Sequence, residues 1–323
     1  MPTPQTRHVL GRATTGPAGA DPPDIHRVID NATPPALTID SGEVVVFDCP
    51  GLPLPPSATV ADMAAIDPLR PHTIVGPVAV RGAQPGDALA VEILDIELIQ
   101  DYGHTAFLPG HGLLGDDVAE PYIHNFTWER GARCTELRPG VQVPLQPFCG
   151  ILGVMPADPG PHVTMPPRAT GGNMDVRHLV PGTTLLLPVQ VPGALFFAGD
   201  GHGAQGDGEV CITGLETAVR ATLRLSVERS RSIREPQFHT RGPLSVDAGP
   251  AGWYATSATG PDLYTCSQNA IRYMIDYLVG EHGLSWAEAY ILCSLVADLK
   301  INEIVDRPNW LVSAYVPLSV FTA

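Results

Sequence analysis

A chain of 323 residues can bury a sizeable core as one large domain or two ordinary ones, and with 44% hydrophobic against 16% charged residues it is globular rather than disordered. The 33 glycines and 34 prolines favour many short strands joined by turns over a bundle of long helices. With 34 acidic and 19 basic side chains the formal charge is −15, which repels phosphate backbones and anionic bilayers and argues against nucleic acid or membrane as partner. Six cysteines form no C-x-x-C pair, no apolar leader opens the chain, and nowhere do eighteen apolar residues run together, so the expected compartment is the cytoplasm. Asn-x-Thr occurs at Asn31 and Asn125 but carries no weight without a secretion signal.

Residues 1–35 read as a loose N-terminal arm or first edge strand, and 36–323 as one β-rich domain. From residue 36 a phrase recurs, a Gly turn followed by a β-rich run: "DSGEVVVF" (40–47), "AQPGDALAVEI" (83–93), "LRPGVQVPL" (137–145) and "LVPGTTLLLPV" (179–189). "VRGAQPGDALAV" and "VRHLVPGTTLLL" align 96 residues apart, which suggests a duplicated β unit over 36–150 and 151–260. In 218–229, Ala221, Leu223, Leu225 and Val227 alternate with Thr222, Arg224, Ser226 and Glu228, the period of a strand with one buried face.

Helices come late, as an addition over 264–305. Ile271, Met274, Ile275 and Leu278 have helical spacing and predict a helix over 267–280, with Ser267 as N-cap. Ser285 and Glu288 form an S-x-x-E capping box that opens a second helix over 286–298. "PNWLVSAYVPLSVF" then reads as a strand. The expected fold is mostly β, with antiparallel sheets in a sandwich or barrel-like arrangement and a few peripheral helices near the C-terminus.

"GDGHGAQGDGEV" (199–210) contains a literal G-x-G-x-x-G at Gly201, Gly203 and Gly206. A dinucleotide site needs a helix directly after the glycines, because the helix N-terminus binds the pyrophosphate. Here "EVCIT" and the strand at 218–229 follow, so nucleotide binding is not expected.

The polar residues between those glycines are more informative. Asn173 and Asp175, Asp200 and His202, and Asp207 and Glu209 are three i, i+2 pairs within 37 residues. On extended backbone such pairs project to one side, and each could deliver two polar groups to one spot. Turn chemistry alone would also use Asp, Asn and Gly. Charged groups beside apolar runs such as "ALFFAG" and "VCITG" need a metal, a partner or a catalytic reason. Carboxylate, amide oxygen and imidazole suit a divalent metal, zinc first, with manganese or calcium as alternatives.

His72 and His178 are further candidates for ligand or proton donor, and His104 and His111 are weaker ones. There is no G-x-S-x-G, H-E-x-x-H or P-loop. A Cys–Glu–Lys amidase needs a lysine, and Lys300 alone is available, on or near the C-terminal helix. Cys211 reads as a strand core residue rather than a nucleophile.

The phrases "GPVAVRGAQPGDALAVEI", "GILGVMPADPG", "GGNMDVRHL", "VPGALFFAGDGHGAQGDGEVCITGLE" and "GLSWAEAYILCSLVADLKINEIVD" together resemble the acetamidase/formamidase family, in family order over nearly the whole chain. Gly203 stands where the family more often has Ala, and the long extensions of some members are missing. The resemblance implies hydrolysis of small linear amides to carboxylate and ammonia, a β-sandwich-like fold with added helices, and a bound divalent metal.

The reading that follows has Asp175, Asp200 and His202, with Asn173, as metal ligands, and Glu209 or Asp207 as the proton-transferring carboxylate. A cyclic-amide (lactam) hydrolase using the same site and a non-catalytic β-sandwich with a structural metal are the alternatives. A small amide substrate and a homodimer complete the expectation.

Overall fold

The computed structural model describes residues 7–11, 22–67 and 72–322. Of the expected arm over 1–35, residues 1–6 and 12–21 lie outside the described residues. In chain order the strands are β1 (Arg7–Leu10), β2 (Ile25–His26), β3 (Leu37–Ile39), β4 (Glu43–Cys49), β5 (Ile74–Val80), β6 (Ala88–Leu98), β7 (Tyr102–Phe107), β8 (Tyr122–Thr127), β9 (Cys134–Arg138) and β10 (Val141–Pro144). They continue as β11 (Phe148–Val154), β12 (Gly171–Asn173), β13 (Thr184–Pro188), β14 (Phe196–His202), β15 (Val219–Glu228), β16 (Gln237–His239), β17 (Trp253–Gly260), β18 (Asp298–Glu303) and β19 (Trp310–Pro317). The α-helices are α1 (Val60–Ala64), α2 (Leu263–His282) and α3 (Trp286–Val296).

Two open six-stranded sheets carry the architecture. One runs β1-β4-β15-β6-β13-β16, the other β12-β11-β14-β5-β2 with β3 alongside β5. Pairing within the sheets is antiparallel apart from β1 with β4 and β3 with β5. The alternation in β15 explains why the sheets stack: Ala221, Leu223 and Leu225 are fully buried, while Arg220 and Arg224 on the other face pair with Asp48 and Glu92 of the flanking strands. The buried faces of β4, β6 and β15 meet Val78, Val80, Phe148, Leu152 and Phe196 of the second sheet in one apolar core. The arrangement is the face-to-face sandwich, not the barrel. The strands that follow the two aligned phrases, β6 and β13, are direct neighbours.

A second core lies at the helical end, where α2 and α3 pack with β17–β19 and the β7–β8 and β9–β10 hairpins. Helix α3 starts at the expected capping box, with Ser285 and Glu288 bonded reciprocally, and Ala289 to Val296 are all buried. Helix α2 starts earlier than expected. Asp262 accepts from the Thr265 N–H at 2.7 Å and is the N-cap, while the Ser267 hydroxyl donates back to the Leu263 carbonyl inside the helix. Asp298 and Lys300 belong to β18, because Ala297 is already extended.

Residues 203–218 form a loop rather than the strand that "VCITG" suggested. Its backbone is tied to α3: the Cys211 N–H donates to Ser294 Oγ, Ser294 Oγ–H to the Thr213 carbonyl, and Tyr290 Oη–H to the Val210 carbonyl. With side-chain partners along its length, the loop needs no ladder. Helix α3 thereby holds the loop over the end of the second sheet.

Candidate active site

Strand β11 is the axis of the site. Its register sets Phe148 opposite His202 and Cys149 opposite Gly201 on one side, and Ile151 opposite Asn173 on the other. The Gly150 carbonyl accepts from the N–H groups of Met174 and Asp175, at 3.0 and 3.2 Å. Asp175 therefore arrives from one flank of Gly150, and Asp200 and His202 from the other. Gly150 leaves the space they meet in. A Cβ there would lie 2.8 Å from Asp200 Oδ2, 3.1 Å from His202 Cε1 and still nearer Asp175 Oδ1.

The 203–218 loop adds two more carboxylates. His202 Nε2 lies 3.1 Å from Glu216 Oε1, 3.7 Å from Asp200 Oδ2 and 3.9 Å from Glu209 Oε1. Glu216 is bridged by backbone to both His202 and His104, so it sits between the ends of β14 and β7, and the Gly214 N–H donates to its Oε1 at 3.0 Å. Two groups of ligand-type atoms share His202: Asp175, Asp200 and His202, and His202, Glu209 and Glu216, each within 4.8 Å of one another.

The backbone is not regular where it delivers these groups. Asp175, Asp200 and Glu209 have φ of 49°, 57° and 43°, a left-handed conformation that costs non-glycine residues roughly 1–3 kcal/mol each. Three such residues around one cavity mean that the fold holds their side chains against a local penalty. Glu209 also shows why the third i, i+2 pair separates. Gly208 at φ 121° and Glu209 itself reverse the chain, sending Glu209 to the cavity and Asp207 away from it. Asp207 Oδ1 pairs instead with Arg177 Nε at 3.2 Å, and Arg177 Nη2 with Asp298 Oδ1 at 2.9 Å. His178 belongs to that cluster too, its Nε2 near the Leu244 carbonyl at 3.1 Å. Asn173 and His72, in contrast, line the cavity.

Electrostatics concentrate on this floor. Burial and the neighbouring Asp200 raise the Asp175 carboxyl to about 6. Burial, followed by the Asp175 charge, pushes Glu209 well above the usual carboxylate range, and burial raises Glu216 as well. Burial opposes charge on His202, yet Glu216 and Asp200 lift its pKa well above normal. Burial likewise works against Asp200, but His72 and His202 hold it low. Among the described residues no lysine or arginine lines the cavity. Asn173 Oδ1 and Asp175 Oδ1 are buried without a hydrogen-bond partner, as are His72 Nδ1 and His202 Nδ1. Crowded carboxylates, an imidazole and unpartnered oxygens are the donor set of a divalent cation, which would offset the repulsion.

Other candidates find structural roles. Burial raises the Cys211 thiol to about 11, so it is no thiolate nucleophile at neutral pH. Of the glycine motif, Gly206 passes directly against the Ala297 backbone, and a loop follows it instead of a helix. Glu216 was not singled out from the sequence. It ends the quoted phrase "…CITGLE", but no spacing links it to the three pairs.

The sequence profile of the Acetamidase/Formamidase family matches residues 15–162 and 160–323. A formamidase of Methylophilus methylotrophus is 23% identical over 352 residues, covering 87% of this chain and 85% of that protein. An acetamidase structure from Bacillus halodurans is 29% identical with a TM-score of 0.64, covering 97% of this chain and 98% of the other. A gamma lactamase from Delftia acidovorans shares the fold with a TM-score of 0.85 at 24% identity, covering 94% of this chain and 90% of that one.

Proposed function

The chain belongs to the acetamidase/formamidase family, and from that premise we propose that it hydrolyses the C–N bond of linear primary amides to carboxylate and ammonia. The observation that carries the reading is the convergence of Asp175, Asp200, Glu209 and Glu216 on the floor of one cavity over Gly150, with His202 buried against them.

In this reading Asp175, Asp200 and His202, with Asn173 Oδ1 and Glu216 beside them, hold a divalent metal, zinc before manganese or calcium. Such an ion supplies Lewis acidity, polarising a carbonyl and making water acidic near neutral pH. Glu209 faces the cavity, its carboxyl pushed well above the usual range by burial and the Asp175 charge, and proton transfer by such a carboxyl is general acid–base chemistry. Its role is to accept the proton of the attacking water and pass it to the departing nitrogen. His104 is held through its Nδ1, 2.8 Å from Asn125 Oδ1, and its neutral ring borders the substrate space. The α3-bound loop fixes Glu209 and Glu216 relative to β14.

A cytoplasmic homodimer completes the proposal. Ile301, Ile304 and Val305, exposed on and beyond β18, support a covered face, and sedimentation of the purified protein tests it. No helix among the described residues is long and apolar enough to cross a membrane. The deciding experiment for the activity is elemental analysis of protein purified without added metal, paired with ammonia release from formamide and acetamide. Protein free of divalent metal and inactive after reconstitution with zinc, manganese or calcium would refute it.

A further inference from the structure

The cavity also bears on the part of the substrate that does not react. Its floor is polar, but its walls are apolar. Leu54, Met63, Leu108, Ile123, Met165 and Ile212 line the same space and come from six separate segments of the chain. The cavity measures about 220 Å³. An apolar cavity of about 150 Å³ holds a guest the size of benzene, so the room exceeds what six heavy atoms need. Formamide or acetamide would leave most of it filled with solvent against hydrocarbon.

Two details make the wall a built feature. Helix α1, a single turn, contributes no residue to either core, and its half-buried Met63 faces the cavity. Such a short helix gains stability from its capping box and from whatever its apolar side meets. On this side it meets the substrate space. Ile212 holds φ at 85°, a conformation β-branched residues avoid, and its side chain lies in the wall. The loop keeps an apolar group there against local preference.

We propose that the preferred substrate is a primary carboxamide with an apolar acyl chain of medium length, about the size of hexanamide, rather than formamide or acetamide. This rests on the amide-hydrolysis reading above. The water oxygen bonds to the acyl carbon, the C–N bond breaks, and both water protons end on nitrogen, giving carboxylate and ammonium. The acyl chain lies along Met63, Leu108, Ile123 and Met165 while the amide group meets the polar floor.

The test is kcat/KM for ammonia release by the metal-replete protein on formamide, acetamide, butyramide and hexanamide. Each buried methylene should raise kcat/KM about fourfold, and acetamide to hexanamide should gain on the order of 10²-fold. Turnover of the short amides with a flat or falling series overturns this inference and leaves the amidase reading intact. No ammonia from any member overturns both. Faster hydrolysis of the six-carbon lactam than of hexanamide, read as the 6-aminohexanoate formed because ring opening frees no ammonia, also overturns it, since a ring would then be what the wall fits. Leu108→Trp should lower the hexanamide-to-acetamide ratio by about tenfold or more. Equal losses on both substrates, or none, would mean that Leu108 is not a wall for the acyl chain, and the proposal fails.

Discussion

Gly150→Ala is the most economical perturbation of the site, because it adds one methyl group and removes nothing. Gly150 does not have positive φ, so alanine is compatible with the backbone, and any cost comes from the space the methyl enters. That space holds Asp200 Oδ2 at 2.8 Å and His202 Cε1 at 3.1 Å from the added carbon, with Asp175 Oδ1 nearer still. Ordinary carbon contacts are about 3.5–4.0 Å, so the three side chains must withdraw by several tenths of an ångström to about 1 Å. Overpacking of this kind costs about 1–3 kcal/mol, and entropy lost from the unfolded chain returns about 0.4–1. For a chain of this length the net effect on Tm is a few degrees at most. A displacement near 1 Å at a reacting centre, in contrast, costs about 10²-fold in rate. The variant should therefore fold, bind metal more weakly and lose about 10² in kcat/KM. Thermal unfolding, elemental analysis and ammonia release on the same preparation read all three. Gly280→Ala is the control: nothing lies within 4 Å of its added Cβ, and relieving a helical glycine should stabilise by about 0.5–1 kcal/mol with activity unchanged. If Gly150→Ala retains wild-type metal content and turnover, the groups that meet over Gly150 do not perform the chemistry.

The remaining predictions separate roles within the site. His202→Ala should lose metal and turnover together, whereas Glu209→Gln should keep metal while kcat falls roughly 10²–10⁴-fold, as read by metal stoichiometry beside ammonia release. Asp207→Asn should stay within an order of magnitude of wild type, because its carboxylate serves Arg177 and not the cavity; a loss as large as that of a proton-transfer group would return Asp207 to the site. Metal uptake by the stripped protein at pH 7 should release protons, since Asp175 is raised to about 6 and Glu209 and Glu216 are raised as well. A cation favours their ionised forms, so apparent affinity should fall as the pH drops, and titration calorimetry in two buffers of different ionisation enthalpy measures the proton count. NAD and ATP should leave the thermal transition unmoved, because no helix follows Gly206; a shift with either would contradict the loop assignment.

What could be read from the sequence was local. The alternation of β15, the Ser285–Glu288 capping box and the turn before each β run depend on residues a few positions apart, and all three stand in the structure. The Asp200–His202 pair was legible for the same reason, since both side chains come from the end of one strand. The tertiary structure decided everything that depends on chain crossing. Asp207 and Glu209 look equivalent in "GDGE", but the turn at Gly208 and the buried Arg177 send them to different clusters. Glu216 enters the site because its backbone bridges β14 and β7, segments whose bridging residues, His202 and His104, are 98 positions apart. Spacing cannot encode such a meeting. "VCITG" has the composition of a strand, yet α3 supplies the side-chain partners that let it remain a loop. The cavity wall is drawn from six separate segments, each of them an unremarkable apolar position on its own. Local propensity and period set which elements form; which side chains share a site depends on long-range packing, and only the folded chain supplies it.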